Sequence, residues 1–167
     1  MSARVREILA AIARVVCPPE LEALGVIDGV LEDVEAAMDA MPPLVRVALV
    51  AGIAGFDTAS MAVPRHLGRR FARLPADRAS DYFESWWRSR IGLQREFARG
   101  VKGLLCMAYY EMQPVKDQLG YTPEQWIDRV KKRRLAIYSA DIATHERRIT
   151  EPDPLPFSVT ASAREAG

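Results

Sequence analysis

The sequence predicts an all-α fold: a single-domain bundle of about six helices over residues 1–149, followed by an extended, Pro-rich C-terminal tail over 150–167. Three observations carry this expectation. Apolar residues recur at helical spacing in one segment after another. Proline pairs at Pro18-Pro19 and Pro42-Pro43 separate the first segments, because proline lacks the N–H a helix interior needs. No alternating apolar–polar run long enough for a strand is present, and nothing repeats. At 167 residues, 49% apolar and 27% charged, the chain has the composition of a globular domain able to bury a core.

The first helix carries Val5, Ile8, Leu9, Ile12 and Val16 on one stripe and stops at Cys17-Pro18-Pro19. Glu7 and Arg14 interrupt its apolar run and no small-residue cleavage site follows, so it reads as an amphipathic helix rather than a secretion signal. The second aligns Ile27, Val30, Leu31, Val34, Met38 and Met41, turns Glu32, Asp33 and Glu35 outward, and ends at Pro42-Pro43. The third, from about Pro43 to Met61, is apolar nearly all round, the pattern of a helix at the centre of a bundle. Its uninterrupted apolar run, Val47 to Phe56, rises about 15 Å, half the thickness of a hydrocarbon layer, so a buried helix in a soluble protein is expected. Gly52 and Gly55 within it would let a neighbouring backbone approach.

Residues Val63 to Leu74 read as a connector with a short helical turn. The fourth helix, about Ala76 to Arg90, places Ala79, Phe83, Trp86 and Trp87 on one face and a Glu84–Arg88 pair on the other. The fifth, about Leu93 to Met112, aligns Phe97, Val101, Leu104, Leu105, Ala108 and Met112. Thr122-Pro123-Glu124-Gln125 is a capping box with proline at the first helical position, opening a sixth helix to about Arg148. After Thr150 three prolines alternate with other residues and small polar residues follow, which suits an extended tail.

Motifs for chemistry are sparse. Net charge is +1, so no bulk attraction to nucleic acid or acidic lipid is expected. Cys17, Cys106, His66 and His145 are scattered singly, without Cys-x-x-Cys or His-Glu-x-x-His spacing. No disulfide framework is expected, and a reducing, cytoplasmic setting suits the chain. Cys106, between Leu105 and Met107, reads as an inert core thiol. Glycine-rich phosphate loops and a Gly-x-Ser-x-Gly nucleophile turn are missing, so no catalytic residue, cofactor-binding residue or metal ligand is assigned. Two rival sites stay open. Asp141 and His145, with Glu146, could serve an independent helical enzyme, and the basic run Arg129-Val130-Lys131-Lys132-Arg133-Arg134 could serve a regulator. Arg134 shares a stripe with Ile127, Val130 and Tyr138, where an apolar residue would be expected.

The aromatic and arginine content is more pointed. Trp86, Trp87, Tyr109, Tyr110, Tyr121 and Trp126 crowd into one stretch with Arg88, Arg90, Arg95 and Arg99. Neighbours on a helix diverge by about 100°, so Trp86-Trp87 and Tyr109-Tyr110 cannot all face one core. Tryptophan, tyrosine and arginine also dominate protein–protein hot spots. Trp86, Trp87, Arg95, Arg99, Tyr109, Tyr110, Tyr121 and Arg134 are therefore the candidate partner-binding residues.

The order of features resembles the gluconate 2-dehydrogenase subunit 3 family, the small subunits of FAD-dependent dehydrogenases of the glucose-methanol-choline type. The resemblance runs from about residue 5 to 125. It rests on Cys17-Pro18-Pro19-Glu20, Arg70-Phe71-Ala72-Arg73-Leu74, Trp86-Trp87-Arg88-Ser89 and Val101-Lys102-Gly103-Leu104, and most specifically on Tyr109-Tyr110 and Leu119-Gly120-Tyr121. It implies a helical accessory subunit without catalytic residues, bound to a large FAD-carrying subunit that oxidises an alcohol or sugar hydroxyl and depends on it for folding, stability or export. FAD would sit in the partner, and the pair would form a hetero-oligomer. Many members carry a twin-arginine export signal; Arg4-Val5-Arg6 does not form one here, which implies cytoplasmic residence.

Overall fold

The computed structural model describes residues 1–146. Eight α-helices run through them in the order α1 (Ala3–Val16), α2 (Glu20–Ala23), α3 (Ile27–Asp39), α4 (Pro43–Ala59), α5 (Ala76–Trp87), α6 (Gly92–Glu111), α7 (Gln113–Gln118) and α8 (Pro123–Glu146). Among the described residues there is no strand, so the fold is all-α as the periodicity predicts. The expected tail from 150 to 167 lies outside the described residues. The chain divides into two compact units, Met1–Tyr121 and a second beginning at Thr122.

In the first unit, α1 begins where Ser2 accepts a hydrogen bond from the Val5 N–H at 3.3 Å, an N-cap that satisfies one of the helix's unpaired donors. The helix ends where Cys17 donates back to Ala13 at 2.9 Å and the two prolines cannot continue the ladder. Its stripe buries Val5, Ile8, Leu9, Ile12 and Ala13. The single turn α2 buries Leu21 behind that break. Helix α3 buries Val30, Leu31, Val34 and Met38.

The helix at the centre is not the one the sequence suggests. α6 packs on α1, α3, α5 and α7, and α1 packs on α3, α4, α5 and α6. These two helices form the middle of the unit. α4 lies at the side, burying only Ile53, Phe56 and Asp57. Leu44, 81% exposed, and Val45 and Val47 face outward. Hydropathy records that a helix is apolar on two faces, but not whether both are covered. The helical segment Pro43–Ala62, twenty residues with mean hydropathy 1.5, is long and apolar enough to cross a membrane by length and composition, with 22% of its apolar window buried. This replaces the ten-residue reading of the same segment.

The glycines of α4 also behave differently from expectation. A Cβ on Gly52 would meet the ring of Phe97 at 3.1 Å, so a side chain rather than a backbone makes the close approach. Gly55 faces open space.

Phe56 is the hub of an aromatic cluster. Its ring lies 4.6 Å from Phe71, 5.0 Å from Tyr82, 4.9 Å from Trp86 and 5.5 Å from Phe97, centroid to centroid. Tilted and edge-on contacts at these spacings suit the ring quadrupoles. Between α4 and α5 the connector makes three short 3₁₀ turns, Ser60–Ala62, Pro64–His66 and Phe71–Arg73. They tuck His66 and Phe71 into the core and leave Leu67 in the left-handed region at φ 52°. α5 carries the expected Glu84–Arg88 ion pair at 2.5 Å.

In the second unit, α8 starts at the proline that the capping box predicts and buries none of its residues.

Candidate interaction surface

The stretch from Arg95 to Tyr121 spans most of α6, all of α7 and the turn after it. Its start is held by the loop before α6. Ser89 Oγ accepts from the Ile91 N–H at 3.1 Å and donates to Gln94 Oε1 at 2.6 Å. Arg95 Nη1 donates to the Ser89 carbonyl at 3.0 Å. Its end is a helix stop of the Schellman type. Tyr121 N–H donates to the Lys116 carbonyl at 2.9 Å, Gly120 N–H donates to Asp117 at 3.1 Å, and Gly120 sits at φ 63°. A left-handed residue after the last helical turn is the role glycine fills without steric cost. The Leu119-Gly120-Tyr121 turn therefore has a local cause, and that cause leaves Leu119 and Tyr121 exposed.

The candidate residues divide by face. Trp86 belongs to the core, edge-on to Phe56 and to Phe97 at 5.5 Å. Tyr109 is buried and Tyr110 is exposed, their rings meeting edge-on at 5.2 Å. Burial pushes the Tyr109 hydroxyl pKa up, with smaller contributions from Glu20, Tyr110 and Cys17. Trp87 is half-buried beneath two cations, Lys102 at 5.0 Å and Arg99 at 5.9 Å from the ring centroid. Arg99 also pairs with Glu96 at 3.3 Å. Arg134 is exposed on α8. The structure thus brings Trp87 and Arg99 together, spends Arg95 on its own loop, and leaves Tyr110, Tyr121 and Arg134 open to solvent.

A second stripe on α6 escaped the sequence reading. Leu93, Gly100, Gly103, Met107 and Tyr110 follow spacings of seven, three, four and three, so they share the face opposite the core stripe. Leu93 is 82% and Met107 73% exposed, and a Cβ on Gly100 or Gly103 would meet nothing within 4 Å. The stripe is apolar at both ends with a shallow trough between. Its spacing was readable, but leucine and methionine score as core and glycine carries no hydropathy signal. A separate groove of about 600 Å³ runs beside α4, lined by Met1, Val5, Met38, Val47, Val50 and Ala54 among others.

The largest buried polar node was also missed. Asp57, 1% exposed, faces Arg4 Nη2 at 2.5 Å, accepts from the Ala72 N–H at 3.0 Å, and has Arg70 at 3.9 Å. It ties α4 to α1 and to the Phe71–Arg73 turn. The hydrogen bond to Asp57 raises the Arg4 pKa further above its ordinary value, against a smaller opposing effect of burial. Nearby, Ser60 Oγ donates to the Arg69 carbonyl at 2.8 Å, and His66 Nδ1 donates to the Ser60 carbonyl at 3.0 Å. This network is already engaged in holding the connector.

The rival sites lie on α8. Asp141, His145, Glu146 and the run Lys131–Arg134 are exposed there. Among the described residues no three His, Cys, Asp or Glu side chains converge as a metal-binding group. The two cysteines depart from expectation. Cys17 is the buried one and Cys106 is half-buried. Although far apart in sequence, they meet across α1 and α6, where Cys106 Sγ lies 3.8 Å from the Val16 carbonyl and Cys17 Sγ 4.0 Å from the Leu105 carbonyl.

The chain matches no protein-family model, no curated protein and no solved structure.

Proposed function

We propose that this chain is the non-catalytic small subunit of a flavin-dependent oxidoreductase, docking on a large FAD-carrying subunit that oxidises an alcohol or sugar hydroxyl. The observation that carries docking is the exposed stripe Leu93–Gly100–Gly103–Met107–Tyr110, continued in sequence by Leu119 and Tyr121. Exposed apolar residues in a row mark interaction surfaces rather than folding needs. The flavoprotein identity of the partner rests on the sequence resemblance, whose most specific residues, Tyr109-Tyr110 and Leu119-Gly120-Tyr121, lie in this same stretch. Trp86 and Tyr109 contribute from beneath, by fixing α5 and α6. Trp87, with Arg99 and Lys102 over its ring, supplies a half-exposed aromatic and cationic edge.

An obligate interface of this kind buries more than about 2,000 Å², and the exposed Leu44, Val45 and Val47 of α4 offer further apolar surface to a partner. The test is purification of the tagged full chain from its native host, with bound flavin released by acid and identified by chromatography. A stoichiometric complex with a large FAD-containing chain is expected. Met107→Glu and Tyr110→Glu should weaken that complex roughly thirty-fold or more while leaving the isolated fold intact. Recovery of the chain as a flavin-free monomer, with normal large-subunit yield and activity when it is omitted, would overturn the reading.

A further inference from the structure

We propose that Cys17 and Cys106 form a dithiol site that reacts with low-molecular-weight disulfides and closes to an internal Cys17–Cys106 bond, clamping the end of α1 to the C-terminal half of α6. The geometry is reciprocal. Cys17 Sγ lies 4.0 Å from the carbonyl of Leu105, the residue before Cys106, and Cys106 Sγ lies 3.8 Å from the carbonyl of Val16, the residue before Cys17. Two side chains that each reach the backbone preceding the other must face one another. This holds across 88 intervening positions of sequence, at the contact between the two central helices.

The two thiols differ in a way that orders the chemistry. Cys17 is 8% exposed, and burial, followed by the neighbouring Cys106 thiol, pushes it up to about 12. It is therefore the shielded thiol, protonated until a base formed beside it takes its proton. Cys106 is half-buried on α6 and is the sulfur a small reagent reaches first. The nearby Lys102 acts on Cys17 in the opposite direction to burial, as the smallest of the influences there.

With oxidised glutathione as reagent, the Cys106 thiolate attacks one reagent sulfur, and the reagent S–S bond breaks with release of one glutathione thiolate. Cys17 then gives its proton to that thiolate and attacks Cys106 Sγ. The mixed S–S bond breaks and the second glutathione leaves. Two protein thiols have lost two electrons and two protons, and one glutathione disulfide has become two thiols. The product ties together two helices that already pack on one another.

The test treats the full chain with oxidised glutathione, counts thiols by maleimide labelling under denaturing conditions, and reads the intact mass. Loss of both thiols with loss of two hydrogens in mass, and a linked Cys17–Cys106 peptide after digestion, is the expected result. The oxidised chain should melt roughly 10 °C higher, because a long loop is closed in its unfolded state. Cys17→Ser should instead accumulate one glutathione on Cys106, and Cys106→Ser should leave Cys17 unmodified in the native protein. Retention of both thiols, a stable glutathione adduct on the unaltered chain, or disulfide dimers would each overturn the proposal. These readings on the unaltered chain do not depend on the variants folding, nor on the docking partner.

Discussion

Asp57 shows what one residue contributes to this fold. Removing its partner by Arg4→Ala leaves a carboxylate that is 1% exposed with its main cation gone. With Arg4 itself one-third exposed, leaving this acceptor without its main donor costs about 1–3 kcal/mol, read as a lower urea midpoint. Asp57→Asn should cost less, since Arg4 is partly exposed and the Ala72 N–H keeps an oxygen acceptor. Leu67 works in the other direction. It is exposed and left-handed, a conformation costing a non-glycine residue about 1–2 kcal/mol. Leu67→Gly should therefore raise stability by roughly 1 kcal/mol once the greater freedom of glycine in the unfolded chain is counted.

Three buried acids set the response to alkali, Cys17, Tyr82 and Tyr109, each raised chiefly by burial. Burial, aided by Cys106, raises Cys17 from 9.0 to about 12. Burial raises Tyr82, whose hydroxyl donates to the Phe56 carbonyl, from 10.0 to about 12. Above pH 9 the unfolded chain loses protons that the native chain keeps, so stability falls as pH rises. The contribution is complete below about pH 9 and exhausted above about pH 12. The slope is about 1.4 kcal/mol per pH unit for each group. Cys17→Ser should move the onset of the loss from about pH 9 to about pH 10, measured by urea titrations across that range.

At the scale of elements, α4 and α6 carry opposite lessons. The core stripe of α6 was legible because Val101, Leu105 and Ala108 recur at helical spacing, and all three are buried. The divergence of Tyr109 and Tyr110 was legible from the 100° step between them. α4 was misread because a second apolar face looks identical in sequence whether a neighbouring helix covers it or not. α2 and α7, four and six residues long, are too short to show a period. Phe56 could be recognised as apolar, but not as the hub of the aromatic cluster, since Phe71, Tyr82, Trp86 and Phe97 reach it from three other segments. Packing at the α4–α6 contact supplies its own check. Gly52→Ala would place a methyl group 3.1 Å from two ring carbons of Phe97. A cost of about 1–3 kcal/mol is expected from overpacking, whereas Gly55→Ala, facing open space, should stabilise by up to about 1 kcal/mol through helix propensity.

For the whole molecule, the division at Tyr121 predicts a separable first unit. A chain ending at Tyr121 should keep cooperative urea unfolding, with a midpoint close to that of the full chain, because α8 buries none of its residues. Loss of cooperativity on truncation would make α8 part of the core. The reciprocal meeting of Cys17 and Cys106 has a further consequence, for how the protein is made. The end of α1 leaves the ribosome 88 residues ahead of the part of α6 that faces it. At about 5–20 residues per second, that interval lasts roughly 4–18 s. For those seconds α1 lacks the face of α6 it will pack on, so its apolar stripe depends on α3 and α4, or on a chaperone, for cover until the sixth helix arrives.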